Sequence, residues 1–275
     1  MTFGERLEAA FNSAGRLCVG IDPHPFLLKQ WNLADDAAGL REFGLLVVEA
    51  TLNRAAIVKP QIAFFERHGS AGYAALEDVL QAARSAGLVV IADVKRGDIG
   101  STFDAYAEAW LTPGSPLEVD AITVSPFLGI GSVAGPRAIA AAHGKGLFVL
   151  AATSNPEALS LQTSRMAHGA TVAAGIVEQV MQWNSADEGL GSTGLVLGAT
   201  LDLTAFGIAD LGNTPVLAPG FGHQGALVSE LTSLYGAAAR NVLVSASRSI
   251  LGAGPAGIAA AIEQQAVEAA EAIAA

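Results

Sequence analysis

The feature of this sequence that most constrains its fold is a regular alternation of short apolar runs with longer helical stretches. The apolar runs are rich in Val, Ile and Leu and predict eight buried β-strands. These strands span residues 17–22, 55–60, 88–93, 120–125, 147–153, 193–200, 214–219 and 241–247. Stretches rich in Ala, Leu and Glu predict helices between them, including 35–54, 70–86, 101–111, 169–184, 224–238 and 256–273.

Strands that are apolar along their whole length and alternate with helices indicate a parallel sheet covered on both faces. Eight such units in a chain of 275 residues predict a (β/α)8 TIM barrel. We expect a single domain over residues 1–275, because no linker, low-complexity tract or short internal repeat divides the chain. A doubly wound open sheet is the alternative.

Charge and hydropathy argue against several classes of partner. The net charge is −11 without any basic block, which disfavours nucleic acid and acidic membranes as partners. Hydrophobic residues make up 51% of the chain, yet every long apolar run is interrupted by a charge or a break, which disfavours a transmembrane helix. The opening stretch MTFGERLEAAF predicts a first helix rather than a secretory signal, and hence a cytoplasmic protein. The single cysteine, Cys18, is expected to be a buried small hydrophobe.

Polar side chains gather at the carboxyl ends of the predicted strands, which meet on one face of such a barrel. The segment PGFGHQG (219–225) follows the seventh strand, and SASRS (245–249) ends the eighth. The ends of these two strands commonly hold a phosphate through backbone N–H groups and a basic side chain. Turn glycines and a surface arginine are the alternative interpretation of the same residues.

The third strand ends in a high density of charge, in the segment VVIADVKRGDIGST (89–102). Side chains alternate along a strand, so Asp93 and, if the extended conformation continues, Lys95 should point into the mouth of the barrel. Asp98 should lie at the start of the next helix, where it can cap free N–H groups, with Thr102 on the same face. Buried charges are costly unless they pair or do chemistry, so a structural ion-pair cluster with Lys59 is the alternative.

These residues resemble a known family. The segment DVKRGDIGST fits the D-x-K-x-x-D-I-x-x-T signature of orotidine 5'-phosphate decarboxylases. The segments GIDP, VKPQIAFFE, TSNPEA, APGFGHQG and SASRSI are similar to family segments, in family order, so that six of eight strand ends match. Chain length and the segment DPHPFLLKQW resemble the larger bacterial subgroup, type 2. The resemblance implies decarboxylation of orotidine 5'-monophosphate to UMP and CO2, the last step of de novo UMP synthesis, without a metal or organic cofactor.

The resemblance also implies catalytic roles. Lys95 is similar to the lysine that stabilises and protonates the C6 carbanion, and Asp93 to the carboxylate near the departing carboxyl group. Lys59 resembles the lysine that completes the alternating charge array and contacts ribose. Asp98 and Thr102 resemble a pair that crosses a dimer interface into the partner's site, which implies a homodimer.

Further residues match the substrate contacts of the family. Asp22 is implied for the ribose hydroxyls, Ser154 for the pyrimidine edge, and Gln224 and Arg248 for the phosphate, with Pro219 packing nearby. One departure is Ser247, which stands where many relatives have glycine. This departure affects only an expected backbone contact to phosphate.

Two other functions remain as alternatives. Mg2+-dependent sugar-phosphate decarboxylases or aldolases of the same superfamily share the D-x-K-x-x-D motif, but the resemblance places a carboxylate at the end of their second strand, where this chain has Lys59. The five histidines also show no close metal-ligand spacing. A catalytically idle barrel that binds a nucleotide as a sensor or scaffold is the other alternative, which turnover would decide.

Overall fold

The computed structural model describes residues 1–274, and its eight parallel strands close into a barrel in sequence order. The strands are β1 Leu17–Ile21, β2 Ile57–Pro60, β3 Val89–Arg96, β4 Ala121–Val124, β5 Gly146–Ala152, β6 Thr193–Leu197, β7 Val216–Pro219 and β8 Val242–Ala246. Pairing of β1 with β8 completes the barrel. The predicted (β/α)8 barrel is therefore confirmed, and the open sheet is excluded.

Helices surround the barrel and also precede it. They are α1 Phe3–Ala14, α2 Pro25–Gln30, α3 Ala37–Thr51, α4 Ala63–Glu66, α5 Gly69–Ser85, α6 Gly100–Leu111, α7 Ala134–Ala142, α8 Leu159–Gln162, α9 Val172–Asn184, α10 Leu231–Tyr235, α11 Arg248–Leu251 and α12 Gly254–Ala274. Short 3-10 turns lie at Ile130–Val133, Pro156–Ala158, Leu203–Phe206, Val228–Glu230 and Gly236–Asn241. Within residues 1–274, no helix has the length and apolar character needed to cross a membrane.

One predicted helix, over 224–238, is wrong. This stretch forms a loop, a 3-10 turn, the five-residue helix α10 and a second 3-10 turn. The backbone explains the difference, because Gly225 and Gly236 have φ of +106° and +52°, which the interior of a right-handed helix cannot contain. The connection from β6 to β7, all of it described, likewise holds a 3-10 turn in place of an α-helix.

Helix α1 closes the amino-terminal end of the barrel. Thr2 and Glu5 form a capping box that fixes where this helix starts. Its apolar face buries Phe3 and Leu7 against side chains of the barrel interior, and the ring of Phe3 meets Phe148 edge to face at 6.0 Å. Because this end is filled with aromatic and aliphatic groups, a ligand can enter the barrel only from the opposite end.

A set of charged residues surrounds this closed end, and we call it the base cluster: Arg6, Arg84, Glu118, Asp120 and Lys145. Arg6 Nη1 lies 2.5 Å from Asp120 Oδ1, and the backbone N–H of Val90 donates to Asp120 Oδ2 at 2.8 Å. Lys145 Nζ and Arg84 Nη1 lie 2.8 Å and 3.1 Å from the two oxygens of Glu118. These ion pairs join α1 to the amino-terminal ends of the strands.

Candidate active site

A cavity of about 270 Å³ opens at the carboxyl-terminal end of the barrel. Residues from all eight strands, or from the loops directly after them, line it. Leu150, Val196 and Leu217 supply apolar surface, and the remaining lining is mostly polar. Eight of the predicted site residues meet here: Asp22, Lys59, Asp93, Lys95, Ser154, Pro219, Gln224 and Arg248. The sequence-based placement of these groups on one face is therefore confirmed.

The charged residues at the ends of β2 and β3 form an alternating array. Asp93 lies between the two lysines, with its Oδ2 at 3.1 Å from Lys59 Nζ and its Oδ1 at 2.6 Å from Lys95 Nζ. Lys59 and Asp93 are buried, with 6% and 8% of their surface exposed, whereas the Lys95 side chain is 47% exposed. Lys95 therefore combines a buried ionic partner with an ammonium group that can still meet a ligand.

The array holds Asp93 and Lys59 in their charged forms. Burial would raise the pKa of Asp93, but the charges of Lys59 and Lys95 and the hydrogen bonds to the carboxylate hold that pKa well below its ordinary value. Burial would lower the pKa of Lys59, but the carboxylates of Asp93 and Asp22 raise it above its ordinary value. Burial raises the pKa of the Cys18 thiol to about 12, which keeps this interior side chain neutral, as expected for a buried small hydrophobe.

The backbone at Lys95 differs from the sequence-based expectation. The extended conformation does not continue to this residue, because Lys95 has φ of +45° and the β3–β4 register shifts between Ala92 and Arg96. The lysine nevertheless lies at the mouth of the barrel and reaches Asp93. Its position at the mouth was predicted correctly, but it depends on a left-handed residue in an irregular strand rather than on simple alternation.

Two residues that the sequence analysis did not single out complete the hydrogen bonding of Asp93. Gln61 Nε2 donates to Asp93 Oδ2 at 3.2 Å, and Thr123 Oγ1 donates to Asp93 Oδ1 at 2.9 Å. Both line the cavity. A signal was present for each, since Gln61 is two residues after Lys59 and Thr123 is the one polar residue inside an apolar strand.

Some polar groups of the cavity have no protein partner. Asp22 Oδ1 is buried without a hydrogen bond, and its nearest cation is Lys59 Nζ at 4.0 Å. The hydroxyl of Ser247 is also buried without a hydrogen bond. Gly20 makes room for this serine, because a Cβ on Gly20 would lie 2.6 Å from the Cβ of Ser247. Arg248 forms no ion pair with any other residue between 1 and 274.

Asp98 and Thr102 lie outside this cavity. Thr102 is exposed and Asp98 is half-buried in the loop after β3. The predicted capping by Asp98 is wrong, because α6 begins at Gly100 with Ile99 as its N-cap, which puts Asp98 one residue too early. The Asp98 carboxylate accepts a hydrogen bond only from the N–H of Ile99, at 2.8 Å.

The donor set of the cavity does not suit a metal ion. Across residues 1–274, no three His, Cys, Asp or Glu side chains are grouped so that they could hold one. The residue at the end of β2, where a metal-binding carboxylate would be needed, is Lys59, whose ammonium would repel a cation.

Comparisons with known proteins agree with this geometry. The family model described as "Orotidine 5'-phosphate decarboxylase / HUMPS family" matches residues 15–263. The orotidine 5'-phosphate decarboxylase of Salinispora tropica is 52% identical over 254 residues, which cover 92% of this chain and 91% of that protein. The enzyme of the same name from Streptomyces coelicolor is 51% identical over 255 residues, with coverage of 92% and 91%.

Solved structures give the same result. A crystal structure from Streptomyces avermitilis, described as an orotidine 5'-phosphate decarboxylase, is 49% identical and superposes with a TM-score of 0.96, covering 100% of this chain and 96% of that one. The decarboxylase of Leishmania donovani is 31% identical, with a TM-score of 0.82 and full coverage of both chains.

Proposed function

The chain belongs to the orotidine 5'-phosphate decarboxylase family and is a carboxy-lyase that forms UMP and CO2, and we propose which of its residues carry that reaction. The observation that carries the proposal is the Lys59–Asp93–Lys95 array in a cavity that Arg248 also lines. We further propose that the whole chain is one decarboxylase domain. Its location in the cytoplasm remains a prediction, which cell fractionation tests.

The unpartnered groups of the cavity match the polar groups of the substrate. Arg248 and Gln224 bind the phosphate, because a guanidinium without an ion pair can form charge-assisted hydrogen bonds to its oxygens. Asp22 accepts a hydrogen bond from a ribose hydroxyl through its free Oδ1. Ser154 bonds the edge of the pyrimidine, and Pro219 packs nearby.

Lys95 stabilises the carbanion and protonates it. Loss of CO2 leaves an electron pair on C6 in the plane of the ring, where the π system delocalises it poorly. An ammonium about 3 Å away stabilises that charge by about 5 kcal/mol at an effective dielectric of about 20. Since about 1.4 kcal/mol corresponds to a tenfold rate, this contribution accelerates the step by about 10⁴-fold. The same ammonium then donates the proton that replaces CO2.

Asp93 has two effects on the reacting groups. Its pKa is held low by the adjacent lysines, so it stays ionised when a second carboxylate, that of the substrate, binds beside it. Repulsion between the two carboxylates is relieved when CO2 leaves, which favours the transition state. Its second effect is to position the ammonium of Lys95, whose Nζ lies 2.6 Å from Asp93 Oδ1, next to the reacting carbon.

Phosphate binding supplies the rest of the stabilisation. Arg248 begins α11 directly after β8 and Gln224 lies in the loop after β7, both remote from the pyrimidine. The binding energy of their phosphate contacts can therefore be used to close the loop after β7 and exclude water. Exclusion of water lowers the local dielectric and strengthens the charge array. A substrate without phosphate should therefore react much more slowly, in addition to binding more weakly.

We propose that two copies of the chain form the active unit. Asp98 and Thr102 do not line the cavity of their own chain, and Ile99 and Tyr106 in the same segment have exposed side chains. The loop after β4 lies alongside, since the N–H of Ser125 donates to the carbonyl of Arg96 at 2.8 Å. It adds two further exposed apolar side chains, Phe127 and Leu128. Exposed large apolar groups beside polar ones are typical of protein interfaces.

The Mg2+-dependent sugar-phosphate enzymes are not supported. Lys59 is buried and paired with Asp93 at the end of β2, and the relatives described above carry the name orotidine 5'-phosphate decarboxylase. The reaction without a metal or organic cofactor remains a prediction of its own.

The test of the proposed function is turnover of orotidine 5'-monophosphate by the purified full chain in EDTA, followed by the ultraviolet change as UMP forms. We expect rapid turnover by the wild type and almost none by Lys95→Ala. Turnover that requires added Mg2+ would contradict the cofactor-free mechanism, and turnover by Lys95→Ala at the wild-type rate would remove that residue from its role.

A mixing experiment tests the exchange of Asp98 between chains. Lys95→Ala and Asp98→Ala proteins are each expected to be nearly inactive as homodimers. A heterodimer has one site in which Lys95 of one chain meets Asp98 of the other, so mixing after mild dissociation should restore activity. If Asp98 acts within its own chain, no native site forms and activity stays absent.

A further inference from the structure

We infer that Thr123 is a positioning residue for the decarboxylation: one hydroxyl on β4 holds both the carboxylate of Asp93 and the backbone of Lys95. This inference rests on the proposed function, because it assigns the position of the two residues placed next to the reacting carbon. Thr123 acts through them, and it is not assigned a direct chemical step.

The two hydrogen bonds of this hydroxyl have fixed directions. The backbone N–H of Lys95 can only donate, so Thr123 Oγ1 accepts from it at 2.8 Å. The single proton of the hydroxyl is then available for Asp93 Oδ1, 2.9 Å away. Thr123 is 1% exposed, so water does not compete for either bond. The arrangement therefore links the carboxylate and the lysine through one rigid, β-branched side chain.

The register of β3 shows why a side chain is needed at this place. Ala92 pairs with Ile122 and Arg96 pairs with Val124, so four steps along β3 match two steps along β4. Lys95 lies in this bulge, at φ of +45°, where an L-residue other than glycine is uncommon. Thr123 lies between the two β4 partners and accepts the N–H that the irregular ladder leaves free.

The bulge also brings Lys95 Nζ to the carboxylate that Thr123 contacts. Both Lys95 and Thr123 bond the same oxygen, Asp93 Oδ1, at 2.6 Å and 2.9 Å. Without the hydroxyl, the N–H of Lys95 loses its acceptor and the carboxylate loses one donor. The positive φ of Lys95 is unfavourable by itself and persists only because its surroundings impose it. Loss of these hydrogen bonds would therefore let the lysine move. Misplacement of a catalytic group by about 1 Å lowers a rate about 10²-fold.

The test is steady-state kinetics on the 275-residue protein with Thr123→Val, which keeps the shape and removes the hydroxyl. We expect kcat to fall about 10²-fold with KM nearly unchanged, because Arg248 follows β8, which lies across the closed barrel from β4. Thr123→Ser restores the hydroxyl and should recover most of the lost kcat. The matched control is Thr51→Val, which removes another buried hydroxyl, one that donates to the Val47 carbonyl in α3, and should leave kcat unchanged.

A second pair of variants protects the test against poor folding of the valine protein. Thr123→Ser and Thr123→Cys have side chains of similar size, and only the hydroxyl makes strong hydrogen bonds. The serine enzyme should be clearly faster than the cysteine enzyme. Equal kcat in this pair, or a loss in Thr51→Val that equals the loss in Thr123→Val, overturns the inference. Failure of the wild type to release CO2 would instead overturn the proposed function.

Discussion

The two ends of the barrel each carry a buried group of charges, and the two groups differ in how completely their members are partnered. In the base cluster, both oxygens of Asp120 accept hydrogen bonds, and Arg6 additionally donates to the carbonyl of Gly144. At the catalytic end, Asp22 Oδ1 is buried without a hydrogen bond, and almost half of the Lys95 side chain is exposed. The base cluster is satisfied within the chain, whereas the catalytic end has groups left over for a ligand.

Backbone geometry separates the two ends as well. Lys95 is one of three non-glycine residues with positive φ in the part of the chain that the structure describes, and it is the one at the cavity. Neither Asp120 nor Lys145 of the base cluster has a positive φ. Charge and burial are therefore common to both ends, and they do not by themselves identify a catalytic group. Unsatisfied polar atoms together with a strained residue do so here.

The largest expected effect comes from comparing two ion-paired lysines, one at each end: Lys95, which is half exposed, and Lys145, which is buried. Lys95→Ala should lower kcat by about 10⁴-fold, from the loss of its charge beside C6, with little change in the midpoint of thermal unfolding because the side chain is half exposed. Lys145→Ala is the matched control and should show the reverse, normal kcat with a lower unfolding midpoint. Steady-state kinetics and thermal unfolding of both variants check this, and a catalytic loss in Lys145→Ala would break the comparison.

Removal of a single charge from the base cluster should affect stability alone. Asp120→Asn keeps the shape but leaves Arg6 without its anion, which should reduce the free energy of unfolding by about 3 kcal/mol. Urea unfolding measures this change. The folded fraction should retain its kcat and KM for orotidine 5'-monophosphate. A change in either constant would show that the closed end communicates with the site.

The next effect concerns the proposed phosphate contact at the catalytic end, which is remote from the reacting carbon. Arg248→Ala should raise KM for the nucleotide about 10²-fold, since it removes charge-assisted hydrogen bonds to phosphate. Turnover of the phosphate-free nucleoside, measured at high enzyme concentration, should not change. Equal losses with nucleotide and nucleoside would contradict the assignment of Arg248 to the phosphate.

Much of this architecture could be predicted from sequence because the signals are local. Each apolar run is a strand, and polar residues that follow different strands meet because parallel strands end on one face. The missed features depend on contacts between strands. Nothing local shows that β3 bulges against β4, so neither the φ of Lys95 nor the bond from Thr123 to Asp93 could be read in advance.

The wrong helix over 224–238 has a related cause. Its composition favours a helix, but Gly225 and Gly236 take conformations that are set by how the loop leaves β7 and enters β8. The role of Asp98 between chains is a third case, since it depends on a partner subunit. Asp98 lies outside the cavity of its own chain, and its role in a partner's site remains a sequence-based expectation that the mixing experiment tests.

The smallest expected effect is on stability in acid. It is measured by comparing the wild type with Asp93→Asn, in which a neutral amide replaces the carboxylate. The pKa of Asp93 is lowered in the folded chain, so its contribution to stability is present above the unfolded value, about 4, and is lost as pH falls. The difference in unfolding free energy between wild type and Asp93→Asn should be constant from about pH 5 to 8. Below about pH 4 it should shrink by up to about 1.4 kcal/mol per pH unit.

Lys59 does not disturb this measurement, because its raised pKa removes stability only at alkaline pH, above the ordinary lysine value. Urea unfolding at a series of pH values, with both proteins in the same buffers, gives the difference directly. A difference that stays constant down to pH 3 would mean that Asp93 gains no stabilisation from its lysines. The ion pairs of Asp93 with its lysines would then be held in place by the rest of the fold at a net energetic cost, as in a strained active site. Of the two charged groups, only the base cluster would then stabilise the fold.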